Sequence, residues 1–204
     1  MFARLLATFC LIAGSLFAGS SDADLVVHLK IAVNQPAAPL DHMKRELSVL
    51  MKTAGYRVQW GDESNSSFLA VVELNGVCAL PAGNAVAPAV SGASLATTNV
   101  TDGQVLPFST VNCAALTHSL APVLLKDTGA QRDFFYGRAM ARVVAHELYH
   151  ILMRTTEHAR SGIARSCFST DDLVTERFDF EGAVLLRSAV PATVADYPGS
   201  TDRQ

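Results

Sequence analysis

The segment DFFYGRAMARVVAHELYHIL, Asp133 to Leu152, is the longest helical pattern in the chain and the feature that most constrains its fold. Residues four apart on an α-helix share one face, a turn and about 6 Å of rise apart. His146 and His150 can therefore aim one ring nitrogen each at a common ion, at about 2.0–2.1 Å. Glu147 is rotated about 100° from His146 around the helix. That is too far round for an ordinary third ligand, yet within reach of a water on the open side of the ion.

A hydrolytic zinc site has three protein ligands and one open position. H-E-x-x-H on a helix is a pattern of zinc proteases, with the glutamate as base. The remaining ligand must come from beyond the helix, and His158 is the candidate. An unbroken helix would carry it about 12 Å past His150. Thr155 and Thr156 are weak helix formers, so the helix should end near Arg154. The chain between His150 and His158 is then long enough to swing the third imidazole back. A distant carboxylate, Glu176 or Glu181, is the rival third ligand. Tyr149 is expected to pack in the core, and Arg138 and Arg142 to lie on a solvated flank. His28, His42 and His118 stand alone and read as ordinary histidines.

Elsewhere the pattern alternates between strand and helix. LVVHLKIAVN (Leu25 to Asn34) is β-branched and apolar, like a buried strand. Leu40, Met43, Leu47, Leu50 and Met51 recur at helical spacing, with Gly55 placed to stop that helix. YRVQW (Tyr56 to Trp60) and FLAVVELNGVCAL (Phe68 to Leu80) read as strands separated by a polar turn. Pro81 to Ala96 reads as a loop. Asp102-Gly103 marks a tight turn, making TTNVTDGQVLPFSTVNC an edge strand or hairpin in which Pro107 suits an edge. A last helix is expected from Ser169, capped by Asp172, to about Ser188, with a loose tail over 189–204. Strands with helices packed on them make an α/β or α+β domain over residues 23–188.

The N-terminal stretch MFARLLATFCLIAGSLFAGSSDA has a positive start, a short apolar core and small residues after it. It reads as a signal peptide of about 22 residues, too short and interrupted for a membrane span. The expected location is outside the cytoplasm, secreted or periplasmic, with no stable membrane insertion afterwards. Three cysteines then remain. Cys78 and Cys113 are the pair expected to bridge in an oxidising compartment, with Cys167 left as a small buried residue. Net charge is −3 with no Lys/Arg run, so nucleic acid is not an expected partner.

HELYHILMRTTEH followed by SGIARSCFSTDDL resembles the metzincin group of zinc endopeptidases. It is closer to secreted bacterial metzincin-like proteins with a longer spacer before the third His. Gly162-Ile163-Ala164-Arg165 is similar to their turn, and Phe168-Ser169-Thr170-Asp171-Asp172-Leu173 to the helix start after it. VTDGQVLPFSTVNC and GRAMARVVAHELYH are similar too, so the resemblance spans roughly residues 70–175. Two positions depart from the pattern. Met153 stands where the usual H-E-x-x-H-x-x-G-x-x-H spacing has Gly, and His158 comes two residues late. Ala164 stands where the methionine of the turn beneath the zinc is expected.

The resemblance implies a zincin-like fold: a small twisted mixed sheet with an edge strand, a long active-site helix, and a C-terminal helix after a Met-turn-like loop. It implies Zn²⁺ on His146, His150 and His158, with Glu147 activating a zinc-bound water to hydrolyse peptide bonds. A protein or peptide substrate would lie along the edge strand near Thr97 to Phe108. The alternative is a zinc-binding, non-catalytic relative that kept the scaffold and lost turnover, which Ala164 favours.

Overall fold

The computed structural model describes residues 23–61, 68–81 and 92–176. The expected signal peptide, the polar turn after Trp60, most of the expected loop from Pro81, Glu181 and the tail lie outside them. Within the described residues the chain is mixed α/β, with a five-stranded sheet and four α-helices.

The sheet consists of β1 (Ala23–Ile31), β2 (Tyr56–Trp60), β3 (Phe68–Asn75), β4 (Ala96–Thr101) and β5 (Gln104–Asn112), in the order β2-β1-β3-β5-β4. The first four of that order run parallel, and β4 pairs antiparallel to β5 at the edge. Alternation along each strand sends Leu25 and Val27 of β1, Ala70, Val72 and Leu74 of β3, and Val111 of β5 into one core. Helix α1 (Ala37–Thr53) covers them with Met43, Leu47, Leu50 and Met51, the stripe its sequence spacing predicts. Gly55 then adopts φ +85, and its N–H donates to the Lys52 carbonyl, ending the helix.

Asp102 and Gly103 both have positive φ, the two-residue turn expected between β4 and β5. Pro107 is a correction: its strand, β5, lies inside the sheet, between β3 and β4. It is tolerated there because pairing with β3 starts only at Val71–Phe108, and the β4 register shifts between Thr98 and Val100. Helix α2 (Cys113–Leu124), which the sequence reading did not assign, starts directly from β5. Asn112 caps it by accepting from the Ala115 N–H at 3.1 Å. Cys78 and Cys113 form the expected disulfide, tying the loop after β3 to the start of α2.

Helix α3 (Gly129–Met153) is the predicted long helix, opened one turn earlier by a Thr128–Gln131 capping box and closed by Arg154 at φ +48. A short 3-10 turn, Gly162–Ala164, and α4 (Thr170–Val174) follow. The Ser169–Asp172 capping box is as expected, but the helix does not run on toward Ser188. It stops at Val174, with Thr175 extended; residues 177–188 lie outside the described ones.

What meets its C-terminal end is the second correction. Arg138 and Arg142 are not on a solvated flank; Arg142 is fully buried. Arg138 donates to the Val174 carbonyl at 3.1 Å, and Arg142 to the carbonyls of Asp172 and Thr175, both at 2.7 Å. Glu46 of α1 lies 3.6 and 3.8 Å from the two guanidinium groups. These cations take the carbonyls that α4 leaves free at its C-terminus.

Candidate metal centre

Positions 138, 142, 146 and 150 of α3 follow one another by four, and each holds the returning chain by donating to a main-chain carbonyl. His146 Nδ1 donates to the Ile163 carbonyl at 2.6 Å, and His150 Nδ1 to that of Thr155 at 2.8 Å. The returning strand is closed on itself just after His158. The Ala159 N–H donates to the Ala164 carbonyl at 2.8 Å, and Ala159 bridges to Arg165. Gly162, at φ +67, permits the reversal there. Arg154 and Gly162, both at positive φ, thus make the turns of the returning chain, with Met153 at the end of the helix before them.

The reversal brings His158 to the other two. The ligating atoms of His146, His150 and His158 all lie within 4.8 Å of one another, close enough to hold a metal ion. Ring centroids are separated by 4.6 Å (146–150), 4.8 Å (150–158) and 5.3 Å (146–158). His146 and His150 are buried, whereas His158 is exposed. Glu176, the described rival ligand, is not in this group.

The donor chemistry fits a cation. A carbonyl can only accept, so His146 and His150 each carry a proton on Nδ1. As neutral rings they then turn lone pairs outward from Nε2, and these two Nε2 atoms stand 3.0 Å apart. Two facing lone pairs repel unless a cation or a shared proton lies between them. Two nitrogens bound tetrahedrally to one zinc would be about 3.4 Å apart, so little adjustment is needed. Burial keeps the pair neutral: it pushes His146 down to about 4 and lowers His150 as well, outweighing the carbonyl hydrogen bonds. Nδ1–H donation to a carbonyl is also the usual outer support of a metal-binding imidazole.

Glu147 is buried beside the histidines, and burial raises its pKa. Thr98 of β4 opposes that shift by donating to Oε2 at 2.5 Å. The sequence reading missed Thr98, and no local signal marks a threonine in an edge strand as a partner of a helix residue. Histidines, Glu147, Leu95 and strand residues Ala96 to Thr98 line one cleft of about 480 Å³. Ser166, Cys167 and Phe168 line it as well, with Phe168 edge-on to His146 at 5.5 Å.

Cys167 is exposed there, not buried as expected. The Arg165 side chain donates to the Cys167 carbonyl at 2.7 Å, pairs with Asp172, and lies 5.7 Å from the Phe168 ring centre. Ile163 and Ala164 are fully buried, and the Ile163 carbonyl is the one that His146 holds, so the turn carrying Ala164 is shut off from solvent. No protein-family model and no curated protein matches the chain.

Proposed function

We propose that this is an exported zinc endopeptidase of metzincin-like fold. The observation that carries the reading is the shared cleft: three convergent imidazoles, a buried carboxylate one residue beyond the first, and an open sheet edge line the same space. Zinc held by His146, His150 and His158 would supply a Lewis acid that polarises the scissile carbonyl and acidifies water. An all-imidazole set suits zinc along with other first-row ions, and zinc is the one that the hydrolytic reading calls for.

The chain's own residues do the rest. Among the described residues β4 has a neighbour on one side only, so an extended peptide could pair along its other edge. Glu147, with its proton affinity raised by burial, accepts the proton of the attacking water and returns one to the departing amine nitrogen. Phe168 and the apolar side chains of Val100, Val105 and Val143 line the same cleft and would shield part of a bound peptide from water. Export is supported by the Cys78–Cys113 disulfide, a bond of oxidising compartments. No helix among the described residues is long and apolar enough to cross a membrane.

Glu147→Ala tests the reading. The variant should retain one equivalent of zinc and lose cleavage of an unfolded protein, whereas His158→Ala should lose zinc. Wild-type protein that binds zinc and cleaves nothing in a broad peptide library would favour the non-catalytic alternative, which Ala164 at the expected turn methionine supports.

A further inference from the structure

Among the described residues the buried inner face of the sheet is apolar apart from one cross-strand pair on β4 and β5. Ala96, Val111 and Val72 are buried there, yet the cross-strand partners Thr98 and Ser109 are hydroxyls. Ser109 is almost fully buried, and its Oγ has no partner among the described residues. Thr98 is half-buried on the cleft, and a valine of the same shape would fill the position, so a specific reason for the hydroxyl is sought in what it touches.

Geometry supplies one. Thr98 Oγ1 lies 2.5 Å from Glu147 Oε2 and 3.4 Å from the Glu147 carbonyl oxygen. Its single proton goes to the nearer, carboxylate oxygen. Among the described residues no other group donates to this carboxylate. A glutamate side chain has several rotatable bonds, and fixing one oxygen removes most of that freedom. Oε1 is left for proton transfer.

We infer that Thr98 is a positioning residue: it holds Glu147 by Oε2 and so ties the base to the strand along which the substrate docks. This rests on the hydrolytic reading above. A substrate pairing with β4 would press on the same residue that orients the base, making correct docking and a correctly aimed carboxylate one event. Placement of a catalytic group by a neighbour's hydrogen bond acts on the transition state more than on binding.

The test compares Thr98→Val, Thr98→Ser and Ser109→Ala, each zinc-loaded, with a fluorogenic peptide cleaved by the wild type. Thr98→Val should lower kcat about tenfold with KM within twofold. Thr98→Ser should restore most of the rate, and Ser109→Ala should leave it unchanged. Wild-type kcat in Thr98→Val, or no rescue by serine, overturns the proposal.

A second readout needs no activity. In metal-free protein Thr98→Val should lower Tm by a few degrees in the wild-type background and hardly at all with Glu147→Ala already present. Equal shifts in the two backgrounds overturn the contact itself. Should the wild type bind zinc and cleave nothing, the hydrolytic reading fails on its own, and this thermal cycle then decides whether Thr98 holds the carboxylate.

Discussion

Gly137→Ala sets two physical effects against each other at one position of α3. Ala is favoured over Gly in a helix interior by roughly 1 kcal/mol, so propensity alone predicts a gain. The packing predicts a loss. A Cβ at 137 would stand 2.4 Å from His42 Cβ, 2.5 Å from the Pro39 carbonyl oxygen and 2.9 Å from the Met43 nitrogen. Two of these are backbone atoms, which no rotamer change can move, so α1 itself must slide by about 1 Å to reach ordinary contact. That shift opens a gap along Met43 and Leu47, both fully buried, and overpacking of this kind costs about 1–3 kcal/mol. Taking the upper end, because the obstacle is backbone, the net loss is about 2 kcal/mol. In a domain of this size that lowers Tm by about 4–8 °C. Urea and thermal unfolding in chelator measure it, with zinc stoichiometry of the folded variant as a control that should not change. An unchanged or raised Tm would show that propensity wins and that the two helices do not approach this closely.

Acid should destabilise the metal-free protein earlier than carboxylates alone can explain. His146, held down to about 4, and His150, also lowered, take up protons in the unfolded chain before they do in the folded one. Stability therefore falls as pH drops from about 6.5 toward 4, by roughly 3 kcal/mol for His146; a flat urea midpoint over that range contradicts this. Arg142→Met removes the donor to the Asp172 and Thr175 carbonyls and should cost about 2 kcal/mol, the lost bonds exceeding the relief of burying no charge. Faster proteolysis after Arg165 should accompany it, and wild-type resistance would argue that α4 is held otherwise. Replacing both Cys78 and Cys113 by Ser opens a link between positions 35 apart and should cost about 3–4 kcal/mol by unfolding in urea.

Several features of this protein can be read along the chain because their physics is local. The spacing of His146 and His150, the stripe on α1, the Asp102-Gly103 turn and the Ser169–Asp172 cap each involve residues within a few positions of one another. Backbone geometry over that range follows from residue type. The return of His158 was legible as a need, since a helix ending near Arg154 leaves chain enough to turn. Its path was not.

Tertiary structure decided what depends on partners far apart in sequence. Arg138 and Arg142 carry the spacing of an exposed face, and only the arrival of α4 and Glu46 turns them into buried anchors. Thr98 is an unremarked strand residue until α3 crosses it with Glu147, forty-nine positions later. Cys167 was assigned to the interior on residue type, whereas it is exposed where it lines the cleft. Helix α2 went unread because it continues directly from β5, with no loop between, and carries Pro122. A sequence displays which groups could meet; burial and hydrogen bonding across elements select those that do.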